Sequence, residues 1–429
     1  ILMNKPVFVI SCAIDTYSGY GARARDLVKA IIETDKYDVK ILPQKWGNCA
    51  WGFIKENPEW GFLEPLILKQ QLNFQPDIWM QHTIPNEFQP VGKYNIGVTA
   101  GIEATLCKPE WLEGLNRMDM NWVSSKFSKT VFEKSTFEKT NPQTKQPMGT
   151  VKLEKPVEVV FEGANLDLYK HLTRSEIKNI NLDEIKESFC YLFVGHWMQG
   201  EFGHDRKNVG LTIKAFFETF KNYRGPKPAL ILKASIGVAS YTSRDEILRR
   251  IRSIRETVNS KNLPNVYLLN GEFSDEDMNE LYNNPKVKAM VSLTKGEGYG
   301  RPLLEFSLTG KPIIATNWSG HTDFLKQSFT TLLGGSLEDV HKSAQNQWLI
   351  KEAKWFKVND GEVGRGFKEV FKKYKQFLHK SKQQKHYSKS NFSYSKMRDL
   401  IDSILDANIP EFPKQMPLKM PELKLPDLQ

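Results

Sequence analysis

Apolar residues along this chain fall into short runs separated by stretches of helical period, and the alternation repeats along most of its length. Runs at 6–14, 39–42, 78–81, 95–99, 122–124 and 157–161 are bounded by polar turns, which predicts the buried strands of a parallel sheet. Between them, Leu27, Ala30 and Ile31 share one face of a helix predicted over 23–33, and another helix is predicted over 128–134 with Ser128 as its cap. A second series follows, with strands at 189–195, 229–233, 266–269, 289–293 and 312–316 and helices at 209–220, 243–259, 275–282 and 302–309. Such alternation predicts an α/β chain with two Rossmann-like, doubly wound parallel-sheet domains facing across a cleft.

The pattern pauses at Phe161-Glu-Gly-Ala-Asn165 and resumes after a polar stretch near Ser188. We therefore expect one domain over 1–165, a second over 166–360, basic helices over 361–408 and a proline-rich extended tail over 409–429. Phe367, Val370, Phe371, Tyr374, Phe377 and Leu378 recur at helical spacing, so the lysines around them read as the wet face of an amphipathic helix.

The stretch Thr294-Lys-Gly-Glu-Gly-Tyr-Gly-Arg-Pro-Leu-Leu-Glu305 joins a predicted strand to a predicted helix. Gly298 and Gly300 let the backbone approach a ligand, and Pro302 suits a first helical turn. The amides of Gly300 and Arg301 are then expected to point outward, toward a phosphate or a polarised hydroxyl. Glu297 and Glu305 bracket this turn, and carboxylates so placed accept hydrogen bonds from vicinal hydroxyls such as those of a sugar or a ribose. The alternative is that a glutamate in a first helical turn only complements the helix dipole.

Composition narrows the class. The chain has 429 residues, 40% hydrophobic and 26% charged, as expected of a folded two-domain protein. No apolar run approaches the length that spans a bilayer, and we expect a cytoplasmic location. Cys12, Cys49, Cys107 and Cys190 are widely separated and read as buried free thiols. Asp275-Glu-Asp277 has the form of a metal-binding triplet, yet Ser274 before it makes a capping pair, and the histidines lack zinc-type spacing. The net charge of +10 is concentrated, since residues 368–398 hold ten Lys or Arg and one acid, Glu369. A polyanion or an anionic membrane surface would meet that segment favourably.

Taken together, the motifs resemble those of the GT-B glycosyltransferases, specifically the retaining, group-1 class (glycosyltransferase family 4-like). The resemblance covers most of residues 6–360. It is carried by Gly298-Tyr-Gly-Arg-Pro302 with Glu297 and Glu305, by Arg206-Lys-Asn208 ahead of a helix containing Ala215-Phe216, by Ser124-Ser-Lys-Phe127, and by the interdomain segment Val159-Val-Phe-Glu-Gly163. It implies a nucleotide-diphosphate sugar as donor, with a lean to uridine diphosphate, and no cofactor or metal. The second domain would hold the donor and the first would offer an acceptor hydroxyl.

By the same resemblance Lys207 is the cation at the diphosphate. The partner arginine of the class usually follows the strand glycine, but here Gly195 is followed by His196 and a longer loop, so Arg206 and Arg301 are both candidates. Lys207, Arg206 and Glu297 form the expected catalytic set. Glu305 is placed at ribose hydroxyls and Glu297 at sugar hydroxyls, with Asn270 of Leu269-Asn-Gly271 at the base. Gly298, Tyr299, Gly300 and Arg301 would line the donor, with Gly19 and Gly21 beside the diphosphate or acceptor. Retention implies front-face attack with no protein nucleophile. His82 and Glu103 lie where acceptor contacts are expected, although a structural role is the commoner one for such residues.

For the acceptor, the sequence leaves a glycan, a lipid or a hydroxymethylated pyrimidine in DNA. The last possibility is raised by the basic segment and by Thr316-Asn-Trp-Ser-Gly-His-Thr-Asp-Phe324, which resembles phage-encoded members of the class. A GT-B sugar epimerase and a non-catalytic nucleic-acid-binding protein are the remaining alternatives.

Overall fold

The computed structural model describes residues 5–413. Two six-stranded sheets, every adjacent pair parallel, form the two halves of the molecule. The first runs, in spatial order, Asp38–Pro43, Val7–Cys12, Ile78–His82, Tyr94–Thr99, Met120–Val123, Val157–Val159. The second runs Val266–Leu269, Ala229–Ser235, Cys190–His196, Val287–Ser292, Ile313–Thr316, Thr331–Leu333. Register holds Ile10 opposite both Ile41 and Met80 in the first sheet, and Leu192 opposite both Ile231 and Met290 in the second. Strands so placed are covered on both faces, which is why they read as continuous apolar runs.

The helices follow from the same patterning. Val209–Phe220 buries Val209, Ile213, Phe216, Phe217 and Phe220, one stripe at helical spacing, against the second sheet. Gly19–Glu33 starts four residues before its expected onset because Ser18 caps it, its Oγ accepting from the Gly21 amide at 2.9 Å. The Lys126–Lys134 helix is capped by Ser125 rather than Ser128. Ser128 sits inside the first turn and donates instead to the Ala100 carbonyl at 3.0 Å.

The single amphipathic helix expected around Phe367–Leu378 is two helices, Asp360–Lys372 and Tyr374–Asn391, broken at Lys373. The first sends Val363, Phe367 and Val370 into the core of the second domain. The last helix, Tyr394–Asn408, returns to the first domain, where Met397, Ile401, Ile404 and Leu405 join Leu27 and Ile31 in its core. Lys36 reinforces this docking with Asp402 at 2.7 Å and Asp406 at 2.8 Å.

Outside the sheets are an exposed hairpin, Phe137–Thr140 with Pro147–Val151, and the antiparallel pair Gly335–Asp339 and Lys354–Val358. Of the four cysteines, Cys12, Cys107 and Cys190 are buried free thiols, but Cys49 is only half-buried because it lies in the turn after the Asp38–Pro43 strand. Among the described residues, no helix is long and apolar enough to cross a membrane. Most of the tail expected to be extended, residues 414–429, lies outside those described.

Ile401 is fully buried, so Ile401→Ala removes core contacts from the first domain although it lies far along the chain from that sheet. A loss of about 2–5 kcal/mol is expected, read as a lower denaturant midpoint. A surface helix would show almost no change.

Candidate functional site

The second sheet reverses its strand order between Cys190–His196 and Val287–Ser292, so the loops leaving these neighbouring strands diverge and open a crevice at their carboxyl ends. One loop carries Arg206 and Lys207, and the other carries Glu297. The Lys295 amide donates to the Arg206 carbonyl at 2.8 Å, which ties the two loops together. Asn208, in the left-handed region at φ 57, turns the chain into the Val209–Phe220 helix. As a result, Lys207 Nζ donates to Glu297 Oε1 at 2.5 Å. Arg206 lies 3.5 Å from the other carboxylate oxygen, donates to the Gly296 carbonyl at 2.7 Å, and faces Glu103 of the first domain at 3.7 Å.

Glu297 is braced from behind. Its amide donates to Ser319 Oγ at 2.8 Å, and its carbonyl accepts from the Gly320 amide at 2.9 Å. Burial alone would raise its pKa, but Lys207 and Arg206 outweigh that cost and bring it down to about 2. The acid is therefore ionised at any physiological pH.

Arg301 forms a second cluster. Gly300, at φ 95, adopts the left-handed conformation that ends the turn, and the following helix is short, Arg301–Ser307. The Arg301 guanidinium meets three carboxylates: Glu305 at 3.2 Å, and, across the domain boundary, Asp26 at 2.7 Å and Glu162 at 3.6 Å. Glu162 also accepts from Ser124 Oγ at 2.9 Å. Burial lifts the Glu305 carboxyl to about 8 even though Arg301 opposes the shift. Arg301 is thus committed to carboxylates, and Arg206 is the arginine that stands beside Lys207.

The remaining expected residues divide by location. Gly296 and Gly298 border the first domain: a Cβ on them would lie 2.5 Å from the Glu103 carbonyl and 2.9 Å from the Ala100 carbonyl. The close approach that requires glycine here is backbone to backbone between domains. Tyr299 points into the core against Phe324, with its hydroxyl unpartnered among the described residues, so only its main chain is available to a ligand. Asn270 donates to the Ala234 carbonyl at 3.1 Å and holds open the turn at Gly271, whose carbonyl accepts from Lys233 Nζ at 2.7 Å. Gly19 has open space around it, whereas a side chain on Gly21 would strike the Thr16 carbonyl.

His82 is buried and stacks on Tyr20 at 4.6 Å, and burial pushes its pKa down to about 3. Tyr20 is sandwiched on its other face by Trp46 at 3.7 Å. Sequence reasoning missed Asp26, Glu162, Lys233, Tyr20 and Trp46. Glu162 was within a recognised segment, but nothing local signalled that it would face Arg301. Asp277 and Ser274 exchange the two hydrogen bonds of a capping box, and Asp275 accepts from Tyr169 Oη at 3.1 Å, so the acidic triplet serves its helix.

Neither a family model nor a curated protein sequence matches the chain. Solved structures do. A glycosyltransferase from Rickettsia africae aligns with a TM-score of 0.61 and 14% identity, covering 94% of this chain and 98% of that one. The Anabaena protein HepE, in complex with UDP and glucose, aligns with a TM-score of 0.61 and 13% identity over 94% of this chain and 100% of its own. The sucrose-phosphate synthase of Thermosynechococcus elongatus gives 0.59 and 11%, covering 94% and 99%. Identity this low speaks to architecture, and that architecture is the two-domain GT-B fold.

The two glutamates titrate in opposite senses, which gives a test of the geometry. Glu297, held below its usual 4.5, contributes stability above pH 4.5 that is lost as pH falls toward about 2. Glu305, held above 4.5, costs stability progressively as pH rises from 4.5 toward about 8. In melting scans from pH 3 to 9, Glu297→Gln should be less stable than wild type at pH 7 by about 3–5 kcal/mol, with the gap narrowing in acid. Glu305→Gln should gain on wild type as pH rises. Parallel curves for all three proteins would contradict the assignment.

Proposed function

We propose that this chain is a retaining glycosyltransferase that moves a sugar from a nucleotide-diphosphate sugar, a UDP-sugar in the first instance, to an acceptor hydroxyl. The observation that carries the reading is the convergence of Lys207 and Arg206 on Glu297 at the switch point of the second sheet. HepE, of the same fold, has been captured with UDP-glucose.

In this reading the bond between the anomeric carbon and the diphosphate oxygen breaks, and negative charge grows on the leaving diphosphate. Lys207 and Arg206 meet that charge from fixed positions, with no reorganisation to perform during the step. Glu297 orients both cations through its two oxygens and presents a carboxylate to the sugar hydroxyls. The acceptor oxygen forms the new bond on the face that the diphosphate leaves, and its proton passes to a diphosphate oxygen. No protein nucleophile takes part.

Glu305 accepts from the ribose hydroxyls, with Arg301 holding its other side. The base lies against the turn at Asn270 and Gly271, with the main chain of Gly298, Tyr299 and Gly300 beside the diphosphate. Gly19 borders the same space from the first domain, and Gly21 shapes the loop that places it. Glu103, Tyr20 and Trp46 stand on the acceptor side.

The acceptor reading raised by the basic segment draws no support from its position. The Tyr374–Asn391 helix lies at the Gly310 end of the Arg301–Ser307 helix, the end remote from the glycine-rich turn.

Incubation with a panel of nucleotide sugars, with release of free nucleotide followed by chromatography, tests the proposal. Turnover or slow donor hydrolysis is expected with at least one UDP-sugar. Lys207→Ala should lower kcat by roughly 10²–10³-fold with little change in KM, and Glu305→Ala should mainly raise KM for the donor. Wild-type rates in both variants would sink the site assignment, and no nucleotide release from any donor would sink the activity.

A further inference from the structure

The Tyr374–Asn391 helix takes no part in the proposed site, and its composition is unlike that of any other helix here. Residues 370–398 contain no Asp or Glu. Lys375, His379, Lys382, His386 and Lys389 are all exposed and follow one another at spacings of four, three, four and three. That spacing stacks them in a single stripe along the helix. From Lys375 to Lys389 the stripe is about 21 Å long, at 1.5 Å per residue. No carboxylate lies within ion-pairing distance of any of its three lysines among the described residues. Like charges so spaced repel, and no ion pair among the described residues relieves them.

The opposite face of this helix is mixed: Phe377 packs against the second-domain core and Tyr374 meets Phe189 edge-on at 5.3 Å, but its C-terminal half is polar. Ser381, Gln384 and Ser388 are buried and hydrogen-bonded: Gln384 accepts from the Lys326 amide at 3.0 Å and donates to the Phe324 carbonyl at 2.7 Å, and Ser388 meets Ser307 at 2.7 Å. The apolar positions of the sequence pattern thus face inward as expected, while the buried side of the helix from Ser381 to Ser388 is held by hydrogen bonds. Beside the stripe runs a groove of about 510 Å3 lined by Phe329, His379, Lys382, His386, Tyr387 and Asn391. It joins Lys382 and two imidazoles to two aromatic rings and an amide.

We propose that this face binds a single-stranded nucleic acid, with the phosphodiester backbone along Lys375, Lys382 and Lys389 and bases resting in the groove against Tyr387. A basic track beside aromatic surfaces is the arrangement that holds single strands without reading their sequence. A bilayer would need something different: the helix exposes no large apolar side chain that could enter one. The proposal uses only the outward face of this helix, so it does not depend on the transferase reading.

The test is fluorescence anisotropy of the full chain with a labelled 16-nucleotide oligothymidylate between 50 and 200 mM NaCl. Wild type should bind, and its affinity should fall steeply with salt. Replacing Lys375, Lys382 and Lys389 together by Gln should weaken binding roughly tenfold or more and reduce the slope of log affinity against log salt by about 3, while replacing them by Arg should preserve both. The control replaces Lys145, Lys152 and Lys155, which are exposed in and just after the hairpin, by Gln with the same change in net charge. Equal losses in the control and the stripe variant would overturn the proposal. So would wild-type binding to phosphatidylserine vesicles with none to the oligonucleotide.

Discussion

The centre of the molecule depends on one carboxylate held between two cations. Glu297 is nearly removed from water, and an unpaired charge there would be expelled or neutralised. Lys207 and Arg206 make it tolerable, and it does the same for them. Breaking a buried pair by removing one member costs about 3–5 kcal/mol, because the other is left charged and dry. The triad therefore fixes three side chains and two loops at once. It also leaves both cations fixed at the mouth of a crevice, with Glu103 of the first domain as a further partner of Arg206.

The second constraint is how closely the two domains approach. Gly296 and Gly298 allow the loop Ala100–Glu103 to lie directly on the glycine-rich turn, and Arg301 reaches across to Asp26 and Glu162. Lys126 donates its amide to Asp323 at 2.8 Å, and Phe127 meets Trp318 edge-on at 4.8 Å. These contacts are mostly polar, charged or small, with an apolar patch of Leu349, Ile350 and Ala353 against the first domain. Interfaces of that composition separate at modest cost, as interdomain surfaces commonly do. The residues that join the two domains are thus the same ones that flank the glycine-rich turn.

Much of this was legible in the sequence because the relevant signals are local. Apolar runs marked all eleven anticipated strands to within a few residues, since a strand covered on both faces has no polar positions to blur it. The Thr294–Glu305 turn was visible because glycine and proline have few other reasons to sit at those spacings, whereas Arg206 and Lys207 were picked out only by the family resemblance. What was not legible is relational. Arg301 looked like a phosphate ligand, but three carboxylates from three different segments claim it. The glycines of the turn looked like a ligand cradle, yet they also accommodate a neighbouring backbone. The break at Lys373 was invisible because the apolar stripe of one helix ran on into Tyr374, Phe377 and Leu378 of the next. Exposed loops such as the one holding Trp46 carry no period at all, and only the fold brings that ring onto Tyr20.

The chain passes between the domains twice, and the two passages are held to one another. The first crossing is Val160–Ala164 and the second is Phe392–Tyr394, and they lie side by side: the Ala164 amide donates to the Phe392 carbonyl at 2.9 Å, and the Tyr394 amide to the Ala164 carbonyl at 2.7 Å. Arg23, buried beneath them, donates to the Phe161 carbonyl at 2.9 Å and contacts Met397 Sδ at 3.1 Å. The crossings are therefore pinned to each other and to the first domain. Because Tyr394–Asn408 is anchored in the core of the first domain and Tyr374–Asn391 is hydrogen-bonded to Phe324 and Ser307 of the second, the short Phe392–Tyr394 segment ties the domains at the place where the first crossing already does.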